Sequence, residues 1–369
     1  MINFCKKCLF PDTKPDLYFD DYGICDACRS AEKKWSSNNL IDWTQRAEAF
    51  TNIITGIDRS NAYDCVVPVS GGKDSTWQVL QTKNRHGLKV LAVTFDQFDQ
   101  TEIGRHNLDV LRGIGVDHIH FTLNPLLLKN LALQGLQHVG DPYWVNHVGM
   151  FTIPTIIASK FRIPLVIYGE NPQFEYGGPE DSRKPQPMNK RWRQEFAGLR
   201  GLREEDMIDE TITSRDVQAL NFPDDSETQG INGLFYGDYF LWDPIAHTNE
   251  IKKIGWSELE SAPAGSYSKA ENCDMKFIDL RERIKFLKYG YGRATDQLNI
   301  EIRSNNIDRK TALEIVKKID GQVAEENIQE FCGFVGIDRE EYDLIVDGFV
   351  NFELFEKSGN VWLPTFERI

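Results

Sequence analysis

Cys65-Val66-Val67-Pro68-Val69-Ser70-Gly71-Gly72-Lys73-Asp74-Ser75 is the stretch that decides how this chain is read. An apolar run meets a serine and two glycines, and a helix-like stretch follows from Thr76 to about Arg85. Strand, glycine turn and helix in that order build a nest of backbone N–H groups at a helix N-terminus, where a phosphate chain binds. Gly71 and Gly72 let the backbone approach an anion with no Cβ in the way. Ser70 and Ser75 add hydroxyl donors, and Lys73 adds a positive charge.

A Walker A loop needs Gly-x4-Gly-Lys-Ser/Thr. Here Val67 stands at the upstream glycine position and Asp74 follows Lys73, so both ends fail. The segment resembles instead the S-G-G-x-D-S signature of the PP-loop ATP pyrophosphatases, which split ATP into AMP and pyrophosphate. An ordinary glycine turn in a Rossmann-like sheet is the competing reading, and six matching positions after an apolar strand weigh against it.

From Tyr63 onward, apolar runs alternate with helical periods, the pattern of a parallel α/β sheet. Strands are expected at Tyr63–Val69, Lys89–Phe95, His118–Thr122 and Leu165–Tyr168, with helices near Thr76–Arg85, Glu102–Ile114 and His147–Lys160. Such sheets bind ligands at the carboxyl ends of their strands, which here are Ser70, Thr94-Phe95-Asp96 and Gly169-Glu170-Asn171. The PP-loop resemblance implies that Val93, Phe95 and Asp96 carry the adenosine and that Gly169 lies beside it. Asp74 and Glu170 are the carboxylates best placed for Mg²⁺, with Lys73 as the third catalytic candidate. Pro68 lacks a ladder donor and fits only if the strand ends there.

Cys5-x2-Cys8 and Cys25-x2-Cys28 have the spacing of a tetrahedral structural zinc site. Four protein ligands leave no open position, so Zn²⁺ would be structural. Of the other cysteines, Cys65 reads as a buried hydrophobe, Cys332 lacks a glutaminase-type elbow, and Cys273 is the one to watch for chemistry.

The chain has 369 residues, enough for two or three units. Its 41% hydrophobic and 27% charged residues suit a globular protein. A net charge of −14 argues against a sequence-independent nucleic-acid binder. Two basic patches stand out: Lys184, Lys190, Arg191, Arg193, Arg200 and Arg203, and then Lys276, Arg281, Arg283, Lys285, Lys288 and Arg293. Lys190 and Arg191 are candidates for an anionic substrate. In Tyr289-Gly290-Tyr291-Gly292-Arg293, Arg293 and Tyr291 suggest a grip on a phosphate or carboxylate, against a plain helix-terminating turn. Asp308 and Asp338 are expected to cap two C-terminal helices. The lack of a spanning segment or signal-like start points to a cytoplasmic protein with no membrane partner.

The Cys-x2-Cys pairs, Tyr63–Ser75 and Cys273–Asp296 together resemble the N-acetyl sugar amidotransferase family of bacterial surface-polysaccharide and nonulosonic-acid assembly. That resemblance implies an α/β protein with a Rossmann-like parallel sheet of PP-loop (HUP) type, an N-terminal zinc knuckle and a mainly helical C-terminal region. The expected division is a knuckle over 1–35, a helical linker over 36–60, an ATP-binding domain over 61–185, a substrate-binding region over 186–300 and a helical region over 301–369. The implied reaction turns the acetamido group of a nucleotide-linked sugar into acetamidino, using ATP, Mg²⁺ and ammonia. A separate glutaminase with an ammonia-channel subunit, both resembling the histidine-pathway synthase, would supply the ammonia. The main rival is a tRNA-modifying PP-loop enzyme, a thiolase or lysidine-type ligase; a zinc-knuckle adaptor without turnover is the third class.

Overall fold

The structure, a computed structural model, describes residues 2–35, 40–179 and 189–368. Lys184 of the first basic patch lies outside the described residues. In chain order the elements begin with α1 (Asp26–Lys34) and α2 (Trp43–Thr55). The sheet region follows as β1 (Cys65–Pro68), α3 (Lys73–Asn84), β2 (Val90–Phe95), α4 (Glu102–Gly113), β3 (Asp117–Phe121), α5 (Pro125–Val139), α6 (Trp144–Phe161) and β4 (Leu165–Tyr168). Short helices α7 (Pro172–Tyr176), α8 (Lys190–Phe196) and α9 (Ser214–Val217) precede β5 (Asn232–Phe235) and α10 (Pro244–Lys252). The C-terminal part holds α11 (Ile278–Tyr289), α12 (Arg293–Arg303), α13 (Arg309–Ile319), α14 (Glu325–Val335), α15 (Arg339–Asp347), β6 (Phe355–Ser358) and β7 (Val361–Pro364).

Five strands form one parallel sheet in the order β3-β2-β1-β4-β5. Both faces of the central strands are covered, so β1, β2 and β4 read as nearly continuous apolar runs. Alternation splits them cleanly. Val66, Leu91, Val93, Phe95, Val166 and Tyr168 face α5 and α6 with Trp144 and Val148. Cys65, Val67, Val90, Ala92, Leu165 and Ile167 face α3, α4 and α10 with Trp77, Leu108 and Ile251. Pro68 is the last residue of β1, and pairing with β4 stops at Val66, so its missing N–H breaks no ladder between these strands.

The expected strands and helices of the sheet region are present with shifted ends, and further elements join them. Helix α6 starts a turn before the expected His147. Helix α5, which the alternation did not reveal, is capped by Asn124, whose side chain accepts from Leu126 N, and ends at left-handed Gly140. Strand β5 has only four residues and is placed by pairing with β4. The C-terminal region is helical except for the antiparallel β6–β7 hairpin. Asp308 and Asp338 cap α13 and α15 as expected.

Helices α11, α14 and α15 pack with Phe355 onto Ala132 and Leu136 of α5. The boundary expected at 300/301 falls inside α12, which joins α13 and Leu9 in a separate small core. Among the described residues, no helix is long and apolar enough to cross a membrane.

Candidate active site and cysteine centre

Strand order sets the place of the site. The sheet winds outward in both directions from β1, and such a switch point opens a crevice past the strand ends. A cavity of about 500 Å³ lies there. Its wall includes Ser70, Gly72, Lys73, Asp74 and Ser75 after β1, Val93 and Phe95 of β2, and Gly169 and Glu170 after β4.

Gly71 and Gly72 do different work. Gly71 has φ +94°, and a Cβ there would lie 2.3 Å from the Gly104 carbonyl oxygen. Its own carbonyl accepts from Trp256 Nε1 at 3.1 Å. Gly72 is the N-cap of α3 with φ −69°, and a Cβ would meet only ordinary contacts with Ser70 Oγ at 3.4 Å and Asp274 Oδ1 at 3.6 Å. Gly71 therefore makes the turn, while Gly72 leaves the cavity side of the nest bare.

Lys73 is 5% exposed and pairs with Asp74 and, at 2.8 Å, with Glu271. Glu271 in turn accepts from Arg293 at 2.6 Å. Burial would lower the pKa of Lys73, but Asp74 and Glu271 outweigh it and hold the ammonium charged. Burial also works against ionisation of Asp74 and Glu271, yet Lys73 keeps both below the usual carboxylate range. Glu170 makes no ion pair among the described residues: burial and the neighbouring Asp74 charge outweigh the pull of Lys73 and push it up to about 7. Asp74 Oδ1 is buried without a hydrogen bond, 3.8 Å from His247 Nδ1. An orphaned carboxylate oxygen and a second carboxyl raised by its charge are oxygen donors of the kind a divalent cation takes, so Asp74 and Glu170 are the residues here that could hold one.

Sequence reasoning missed two members. Glu271 and Asp274 flank the flagged Cys273 and both line the cavity, whereas Cys273 is fully buried and is not part of its wall. Asp274 accepts from Gln97 Nε2 at 2.9 Å, and burial raises its pKa. The cue was an acid on either side of a watched cysteine, but nothing local tied it to a loop two hundred residues earlier.

Four of the expected residues lie outside this cavity. Tyr291 is not in the cavity; it packs edge-on against Phe10 at 5.5 Å within the cysteine-rich core. Lys190 and Arg191 line a separate surface depression and pair with Asp224 and Glu195, because α8 turns them outward. The Asp96 carboxylate is drawn to His120 at 3.2 Å and Thr122 at 3.1 Å, away from the cavity wall. Arg293 does reach the cavity, from the first turn of α12.

The Sγ atoms of Cys5, Cys8, Cys25 and Cys28 all lie within 4.8 Å of one another and are buried. Separations of 3.9 Å for Cys5–Cys28 and 3.6 Å for Cys8–Cys25 exclude disulfides in this arrangement. They match the edge of about 3.8 Å of a tetrahedron with Zn–S bonds of about 2.3 Å. Backbone N–H groups of Lys7 and Cys25 point at Cys5 Sγ, so the centre is compatible with zinc. The knuckle is tied to the rest by Arg309, which donates to the Cys5 and Cys8 carbonyls, and by Leu9 N donating to Asn299 at 2.7 Å. Lys34 of α1 pairs with Glu175 at 2.7 Å, and Glu175 and Tyr176 are cavity wall.

Two outcomes follow from this geometry. Gly71→Ala should lose at least about 1–3 kcal/mol of stability from the left-handed backbone alone, whereas Gly72→Ala should keep the denaturation midpoint of the parent and lose ATP use; equal midpoints for the two variants would contradict the division of labour. Metal analysis should find about one zinc per chain, with Cys25→Ser giving insoluble or metal-free protein; a stable, metal-free parent chain would remove zinc from the description.

Residues 268–368 match the family described as LPS biosynthesis protein WbpG-like, C-terminal domain. No curated protein matches the chain. Three solved structures show distant likeness. NMN synthetase from Francisella tularensis aligns at 13% identity over 34% of this chain and 54% of its own, with TM-score 0.25. The U34-tRNA thiolase NcsA from Methanococcus maripaludis, solved with its iron–sulfur cluster, aligns at 11% over 87% and 90%, with TM-score 0.33. NAD+ synthetase from Burkholderia pseudomallei aligns at 15% over 64% and 95%, with TM-score 0.27. Scores this low carry no functional weight. What stands is a Rossmann-like five-stranded parallel sheet with a glycine nest after β1, a buried four-cysteine cluster at the front, and a C-terminal segment that matches the WbpG-like domain.

Proposed function

We propose that this chain is an ATP-dependent amidotransferase that converts an acetamido group of a nucleotide-linked sugar to acetamidino, with ammonia delivered by a separate glutaminase. One observation carries the reading: the segment that matches the WbpG-like domain contributes Glu271, Asp274 and Arg293 to the same cavity wall as the PP-loop. An amide oxygen is a poor leaving group, and adenylation makes it a good one. The amide oxygen attacks the α-phosphorus and the bond to pyrophosphate breaks. Ammonia then attacks the activated carbon, a proton is lost, and the C–O bond breaks to release AMP. The Ser70–Ser75 nest and Lys73 would hold the outgoing diphosphate, with Val93 and Phe95 of β2 and Met150, Phe151 and Pro154 of α6 as an apolar wall for the adenine. Mg²⁺, held by Asp74 and Glu170, would neutralise phosphate charge.

The thiolase alternative needs a sulfur-carrying nucleophile. Cys273 is a poor one, since burial and the Asp274 charge raise its pKa and its thiol lies behind the wall. The acidic chain also disfavours a tRNA substrate.

Mass spectrometry of candidate nucleotide sugars incubated with ATP, Mg²⁺ and ammonia should show a loss of about one mass unit with release of pyrophosphate and AMP; ADP as the product would end this reading. Cys273→Ala should leave that turnover within about threefold of the parent, and abolished activity would favour thiolation instead.

A further inference from the structure

The ion pairs that begin at the PP-loop do not stop there. From Lys73 they run through Glu271 (2.8 Å), Arg293 (2.6 Å), Asp296 (4.0 Å), Lys285 (2.6 Å), Glu282, Arg281 (2.9 Å) and Asp141 (3.0 Å), alternating in sign at every step. At the far end the balance fails. Asp141, 1% exposed, is the shared carboxylate for Arg281, for Arg200 at 3.7 Å and for His147 at 3.6 Å, and the last two are too long for hydrogen bonds. Arg200 is held there by a loop in which Gly198, Arg200 and Gly201 all have positive φ, a strained setting for a non-glycine residue. Burial and the nearby Arg200 lower the pKa of Lys288, to about 8, which marks the same surplus of positive charge.

A second observation points to a ligand. Asn146, in the first turn of α6, is 8% exposed and lines the cavity beside His147 and Arg281, yet among the described residues neither of its amide atoms has a hydrogen-bond partner. A buried, unsatisfied carboxamide costs about 1–3 kcal/mol and persists where something else completes it.

We infer that Asn146, His147 and Arg281 form a second subsite in the cavity, which binds an anionic group of the acceptor sugar while the Asn146 carboxamide pairs with an adjacent N–H or C=O of the same molecule. This rests on the reading above and deepens it by assigning residues of this cavity, apart from the ATP-binding turn, to the phosphate or carboxylate of the acceptor. The Lys73 end takes one anion and the Asp141 end takes the other.

The test loads the full chain with Mg²⁺ and a non-hydrolysable ATP analogue, then titrates two probes by calorimetry. UDP-N-acetylglucosamine offers phosphates without a carboxylate, and N-acetylneuraminic acid offers a carboxylate without a phosphate. One probe should bind the parent. Asn146→Ala and Arg281→Lys should each weaken it about tenfold or more and leave affinity for the analogue within about twofold. Asn146→Ala should also keep or raise the denaturation midpoint, because it removes an unsatisfied buried amide. A merely structural Asn146 would instead lower that midpoint and leave probe affinity alone, which overturns the subsite. Neither probe binding to the loaded parent, or unchanged probe affinity in both variants, overturns it as well. If the analogue itself fails to bind the parent, the ATP reading falls and takes this inference with it.

Discussion

An ammonium held almost wholly out of water is the constraint on which the rest of this site depends. Lys73 begins helix α3 directly behind the glycine turn, where its charge can serve a phosphate but cannot reach solvent. Leaving such a buried charge unpaired costs about 3–5 kcal/mol. Asp74 supplies one counter-charge locally and Glu271 supplies the other from a segment nearly two hundred residues later. The charge behind the glycine turn is therefore not balanced by the sheet region alone, and the segment that matches the WbpG-like domain lines the same cavity.

The same dependence appears in the packing. Gly104, at the start of α4, has Asp274 Cα and Cβ so close that a Cβ of its own would lie 2.9 Å from both. Thr101 N donates to the Asp274 carbonyl, and Thr101 Oγ1 to that of Cys273. Backbone contact at this range fixes the Glu271–Asp274 segment against the loop as well as its charges do. The cysteine-rich knuckle closes the third side: Arg309 and Asn299 from α13 and α12 hold it, and its Lys34 holds Glu175 at the cavity edge. A tetrahedral metal centre at this position would stabilise a wall of the cavity without touching the reaction.

Local signals carried the parts of the site that are contiguous. The Ser70–Ser75 turn, the Cys-x2-Cys pairs and the alternating runs of β1, β2 and β4 each owe their form to neighbours within a few residues. Elements held by distant partners escaped. Helix α5 is set by its Asn124 cap and by packing on α6, α11 and α14, and β5 by pairing with β4. Lys190, Arg191 and Tyr291 suit an anion by residue type, but type says neither which way α8 turns its side chains nor which core the turn between α11 and α12 packs into. Nothing local singles out His147 either, because Arg281 joins it at the Asp141 carboxylate from across the fold.

Sequence by itself determined that a strand would run into a bare glycine nest at a helix start and that four cysteines would converge, since backbone freedom and ligand spacing are properties of short segments. Only the tertiary structure decided which charges meet inside the cavity. Counter-ions for a buried ammonium and cations around a buried carboxylate are chosen by proximity in space, and the chain brings Glu271, Arg281 and Arg293 there from a segment some two hundred residues after the glycine turn.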